Sequence, residues 1–126
     1  MEVMWKKYGN RYYTAKARIV FAVGTAELFL ENHYTVSENG LKIRYGISDC
    51  NSIGLFSGVT EGEPIITDKT ATKPGKSDIN MQCKYKIQVN LDVNSSVSKT
   101  LKTRTEYLAL DKKNKQVKVK HSWFVE

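Results

Sequence analysis

The strictest constraint on this chain is a run in which every second residue is apolar. Ile79, Met81, Cys83, Tyr85, Ile87, Val89, Leu91 and Val93 point one way, and Asn80, Gln82, Lys84, Lys86, Gln88, Asn90, Asp92 and Asn94 point the other. A helix would scatter the two sets around its circumference, whereas the two-residue period of a strand separates them. A strand with one dry face needs neighbours at its edges and cover over that face. No stretch of the chain carries the three-and-four spacing of an amphipathic helix, so both must come from other strands.

Turn chemistry supplies the first group of neighbours. Gly24-Thr25 suits a type II′ turn and Asn39-Gly40 a type I′ turn. Setting Val23 opposite Ala26 brings Phe21 to Leu28, Ile19 to Leu30, Ala15 to Tyr34 and Tyr13 to Val36. Setting Glu38 opposite Leu41 brings Val36 to Ile43, Tyr34 to Tyr45 and Asn32 to Ile47. All of these share one face, so the sequence predicts a three-stranded meander over residues 13–47. Its other face is polar: Thr14, Lys16, Arg18, Glu27, Glu31, His33, Thr35, Lys42 and Arg44, with Arg18 opposite Glu31 and His33 opposite Lys16 or Gly46.

A second meander follows. The run from Ile79 turns loosely through residues 94–98 into Leu101, Thr103, Thr105, Tyr107 and Ala109. A three-residue loop, Lys112-Lys113-Asn114, with Asn114 in the left-handed conformation, then sets Ala109 on Val117, Tyr107 on Val119, Thr105 on His121, Thr103 on Trp123 and Leu101 on Val125. Ahead of both meanders, residues 3–8 read as a short strand. Pairing it across Gly9-Asn10 would set Lys6 against inward Tyr13 and leave Trp5 wet, so this strand either pairs elsewhere or joins an aromatic patch with Tyr8 and Tyr12. The Gly- and Pro-rich residues 48–77 exceed an ordinary loop and are expected to hide short strands at 53–56 and 64–67.

The expected fold is a single all-β domain spanning residues 1–126. Its two facing antiparallel meanders form a β-sandwich of six to eight strands, with an up-and-down β-barrel as the alternative. Inward Thr103, Thr105 and His121 are polar where a dry sandwich prefers aliphatics, which points to a cavity or to a rim of the core. No run reaches the roughly 20 apolar residues of a transmembrane helix. Two cysteines, Cys50 and Cys83, leave one disulfide or two thiols open.

Function is less legible. No phosphate loop, nucleophile elbow or spaced metal ligands occur, so no catalytic residue, metal site or cofactor is expected, and the chain reads as a non-enzyme. Nothing in the sequence brings Cys50 and His121 together as nucleophile and base. The first 63 residues hold seven Lys or Arg and seven Asp or Glu, while the other 63 hold thirteen and six. That excess gathers on the outer face of the second meander, as Lys84, Lys86, Lys102, Arg104, Lys118 and Lys120. Such a face attracts polyanions, but it lacks the interleaved aromatics of single-strand binders, which disfavours nucleic acid. Trp5, Tyr8, Tyr12 and Tyr13, with Lys6, Lys7 and Arg11, make the densest aromatic and basic cluster, and exposed Trp5, Tyr8 and Tyr12 would suit a sugar ring or a protein contact.

The expected function is therefore a non-enzymatic binding or adhesion module of an exported protein, placed outside the cell or in its envelope. Its partner would be a protein, a glycan or an anionic polymer. Two alternatives stand beside it: a carrier of a small apolar or amphiphilic molecule lined by Tyr85, Tyr107, Thr105, His121 and Trp123, and polyanion binding through the basic face.

Overall fold

A computed structural model describes residues 2–21, 24–54, 56–90 and 94–126. The strands are β1 (Glu2–Lys7), β2 (Gly9–Phe21), β3 (Gly24–Ser37), β4 (Gly40–Gly54), β5 (Phe56–Glu61), β6 (Ile65–Asp68), β7 (Thr70–Ala71), β8 (Ser77–Asn90), β9 (Asn94–Asp111) and β10 (Gln116–Val125). They form two antiparallel sheets that do not close into a barrel. One sheet runs β1-β10-β9-β8-β5, with β6 also on β8; the other runs β2-β3-β4-β7. The dry faces meet in a core whose largest fully buried side chains are Tyr34, Tyr85 and Tyr107. The sandwich read from the two meanders is therefore present, with more strands than expected because residues 56–71 supply three short ones.

The inward residues of β2 and β3 are those predicted, but their partners are not. Ile19 faces Ala26, Ala15 faces Leu30, and Tyr13 faces Asn32. Gly24 and Thr25 lie on β3 opposite Phe21 and Val20 rather than in a turn, while Val23 falls outside the described residues. The displacement from the expected register is an even number of residues, which leaves every side chain on its face. Arg18 accordingly meets Glu27, at 3.9 Å, instead of Glu31.

The second turn is also displaced, to Glu38 and Asn39, with Ser37 opposite Gly40, Val36 opposite Leu41 and Tyr34 opposite Ile43. Gly40 is a buried strand residue at φ +111°, and a Cβ there would stand 2.0 Å from the Ala71 carbonyl oxygen. The register then shifts between His33 and Tyr34, leaving Arg44 as the extra residue of a β-bulge. Beyond it the faces exchange. Tyr45 and Ile47, expected inside, are 43% and 44% exposed, and Gly46 points inward opposite Asn32. A side chain at Gly46 would collide with the other sheet, since its Cβ would lie 2.4 Å from Met81 Sδ and 2.8 Å from Pro64 Cβ.

The last hairpin corrects its register in the same way. Its turn takes four residues, Lys112 to Lys115, and the left-handed residue is Lys115 at φ 53° rather than Asn114. Leu110 faces Val117 and Ala109 faces Lys118; a bulge between Lys118 and Val119 then restores the expected pairs, from Tyr107 with Val119 to Leu101 with Val125. Thr103, Thr105 and His121 are buried, as their inward positions require. Asn94 to Val97 are paired on β9, opposite Asn90 to Ile87, where a loose turn was expected; Leu91, Asp92 and Val93 fall outside the described residues. In the linking segment β6 covers most of the expected 64–67, whereas Ile53 belongs to β4.

The N-terminal strand pairs elsewhere, along β10, with Glu2 opposite His121 and Trp5 opposite Lys118. Only Tyr8 separates β1, at the edge of one sheet, from β2, at the edge of the other. Its backbone N–H donates to the Lys115 carbonyl, which ties the corner to the last turn.

Candidate functional site

The nine residues singled out by charge and aromaticity do not form one site. Trp5 stands on the outer face of the larger sheet, 45% exposed, beside Lys118. Tyr8 is half-buried against the core at the corner, and Tyr12 is 60% exposed on the outer face of the smaller sheet. Of the six cations expected on the outer face of the larger sheet, three pair with carboxylates of the protein itself. Arg104 binds Asp78 at 2.7 Å and Glu106 at 3.6 Å, Lys120 reaches Glu106 at 4.0 Å, and Lys102 binds Glu126 at 2.9 Å. Lys84, Lys86 and Lys118 make no ion pair among the described residues. Asp92, which the strand period puts on this face, falls outside those residues.

The bulge at Arg44 builds an aromatic row where the sequence reads a plain polar face. Tyr12, His33 and Tyr45 are cross-strand partners on β2, β3 and β4, so His33 lies opposite neither Lys16 nor Gly46. The Tyr12 and His33 rings are 5.6 Å apart and the His33 and Tyr45 rings 4.5 Å apart, each nearly parallel. Coplanar rings cannot approach so closely, so they stack face against face. Arg44 covers Tyr45 at 5.2 Å, and Glu31 Oε1 lies 2.5 Å from His33 Nε2. The row thus holds His33 between two tyrosines, while Tyr12 at its end is 60% exposed. Trp5, by contrast, makes no ring stack among the described residues.

A cleft of about 380 Å³ opens between the two edge strands, lined on β1 by Glu2 and Lys6, on β2 by Asn10 to Thr14, and at its floor by His121. His121 is only 1% exposed. Its ring stacks on Tyr13 at 4.4 Å and 13°, and its Nε2 lies 2.8 Å from the Tyr34 hydroxyl. Nδ1 has no hydrogen-bond partner among the described residues; Glu2 Oε2 stands 3.8 Å away. Burial, and then the neighbouring Lys6, hold the imidazole well below its ordinary range, at about 4, so it is neutral at pH 7. Asn32 and Thr105 are also fully buried with unpartnered side-chain polar atoms. The inward position of His121 was legible in the strand period. The inward positions of Tyr13 and Tyr34 were legible too, but not their contact with His121, which comes from packing of the two sheets, nor the approach of Glu2, which comes from the pairing of β1 with β10.

The thiols offer no competing chemistry. Both are free; Cys50 donates to Glu61 Oε2 at 2.9 Å, and burial followed by that hydrogen bond pushes its pKa up to about 12. Among the described residues no group of three or more His, Cys, Asp or Glu side chains could hold a metal ion, and no helix is long and apolar enough to cross a membrane. No protein-family model matches the chain, and neither does any curated protein or solved structure.

Proposed function

We propose that this domain is a non-enzymatic binding module of an exported protein, and that it recognises its ligand at the corner where β1 and β2 part. The observation that carries this reading is the cleft there. A buried histidine, held by two tyrosines, lies at its floor, Glu2, Lys6 and Arg11 line its walls, and the exposed Tyr12 stands at its edge. Concave sites with a few convergent polar groups are where proteins hold small ligands or the ends of larger ones. The export reading rests on the Tyr, Thr, Ser and Asn content and the long two-faced strands.

The alternatives have less support. Three of the six cations of the basic face are engaged in ion pairs within the protein, which lowers the field available to a polyanion. Of the side chains expected to line a carrier's cavity, Tyr85 and Tyr107 belong to the packed core and Trp123 is 41% exposed.

The test uses the intact domain against an array of neutral and acidic glycans, heparin and a phage-displayed peptide library. Saturable binding in at least one arm, reduced at least about tenfold by combining Glu2→Ala with Tyr12→Ala, and without turnover of the bound material, is the expected result. Equal binding by the variant, turnover, or no binding in any arm would overturn the reading.

A further inference from the structure

The smaller sheet ends at β2 without any of the usual protection of a sheet edge. β2 pairs only with β3, over 13 residues and with no shift of register, and it contains no proline. Every second residue of β2 therefore turns its N–H and C=O away from β3. Between Arg11 and Val20 no hydrogen bond reaches those groups among the described residues. The other terminal strands are shorter or broken: β1 has 6 residues, β7 has 2, and β5 shifts register between Phe56 and Gly58. A long, straight, unbulged edge is where another chain adds as a strand.

The larger sheet supplies a shelf beneath that edge. Tyr13 of β2 lies on His121 of β10, and β1 is the next strand beyond β10, so the larger sheet extends one strand further than the smaller one at this corner. The cleft lined by Glu2 and Lys6 on β1 and by Asn10 to Thr14 on β2 occupies the space where a further strand of the smaller sheet would lie.

The outer face of β2 sets the chemistry of such a strand. Tyr12, Thr14, Lys16 and Arg18 alternate along it. Tyr12 ends the row of rings that runs from Tyr45 through His33, so the next place in that row lies beyond the edge. Lys16 makes no ion pair among the described residues, and Arg18 has only a 3.9 Å contact with Glu27. An aromatic side chain suits the place beside Tyr12, and acids suit the places beside the two cations.

We propose that the free edge of β2 takes an extended segment of a partner protein as an additional antiparallel strand, with acids opposite Arg18 and Lys16 and an aromatic residue opposite Tyr12. This rests on the binding-module reading and names its partner. Every second residue of the segment then reads acid, acid, polar, aromatic, and the residues between them point down onto the shelf. A second copy pairing β2 on β2 would bring the two projecting β1 strands into the same space, so the occupant is a segment without a second sheet beneath it.

The experiment titrates the intact, isotope-labelled domain with the capped peptide Glu-Val-Glu-Val-Thr-Val-Tyr to about 2 mM, a range that detects affinities of about 1 mM. Amide shifts and hydrogen exchange are read by NMR. One control peptide carries Lys in place of both Glu; two others are N-methylated at alternate residues, one on each edge of the peptide. Lys16 is exposed, so Lys16→Glu leaves the core untouched. The expected result is a saturable shift along β2 with slower exchange at alternate amides between Arg11 and Arg18. N-methylation of one edge abolishes binding and of the other preserves it, and affinity falls about threefold or more for the lysine peptide and for Lys16→Glu. The proposal is overturned if β2 does not respond, if both N-methylated peptides bind like the parent, if the lysine peptide binds equally well, or if the free domain sediments as a dimer with its β2 amides already protected. A glycan or heparin bound at this corner with no response to the peptide would overturn the strand site and leave the binding module standing.

Discussion

The Tyr34 hydroxyl of β3 lies 2.8 Å from His121 Nε2 of β10, and this bond joins the two sheets through the middle of the core. Both side chains are fully buried, so neither can turn to water if the other is lost. Tyr34→Phe leaves the imidazole nitrogen unpaired at little change in volume. The expected loss of stability is about 1–3 kcal/mol, read from the urea midpoint at pH 7. An unchanged midpoint would show that the bond contributes nothing.

Acid should act through the same histidine. The folded state holds its proton only near pH 4, whereas an unfolded histidine takes one near 6.5. Between these values the unfolded chain binds more protons. The contribution is therefore complete above about pH 6.5 and lost as the pH falls towards 4, and it amounts to at most roughly 3 kcal/mol. In an NMR titration the His121 ring should stay neutral down to pH 5; protonation near 6.5 would contradict its environment.

Two glycines should differ in how badly they tolerate alanine. At Gly40 the new Cβ meets a backbone carbonyl, that of Ala71, at 2.0 Å, and the residue also sits at φ +111°. At Gly46 it meets Met81 Sδ at 2.4 Å, but Met81 has a flexible side chain. Gly46→Ala should cost about 1–3 kcal/mol, the range for overpacking, and Gly40→Ala more. Thermal denaturation of the two variants gives the order, and the reverse order would refute it.

The Cys50 thiol should be slow to alkylate in the native domain, because its pKa of about 12 leaves little thiolate at pH 7.5. Replacing its partner by Glu61→Gln removes an acceptor and a negative charge, which lowers the pKa and speeds the reaction with iodoacetamide. Rates followed by mass spectrometry on the native and urea-unfolded chains separate this from simple access. A native rate equal to the unfolded one would count against the Glu61 contact.

How far the fold could be read in advance differs from strand to strand. Inward Tyr13, Leu28, Leu30 and Tyr34 are where their period puts them, and so are Ile79 to Val89, Tyr107, Val117, Val119 and His121, whereas Ala109 yields its inward place to Leu110. Tyr45 and Ile47 are not, because one bulged residue, Arg44, exchanges the faces behind it. Nothing near Arg44 in the chain announces that bulge. Its cause is across the sandwich, where Met81 and Pro64 leave room for Gly46 and for nothing larger. The cleft was illegible for a related reason: Glu2 and His121 are 119 positions apart in the sequence and meet only through the β1–β10 ladder.

By itself the sequence determined that this chain makes strands, that each has a dry and a wet side, and that the dry sides must face one another, since a two-residue period of apolar side chains admits no other burial. The tertiary structure decided which residues stand opposite each other, where the ladders bulge and which edge β1 joins. A register shifted by two or four residues keeps every face unchanged, so local pattern cannot choose among such registers. The choice falls to contacts between the sheets: the Ala71 carbonyl against Gly40, Met81 against Gly46, and Tyr34 against His121.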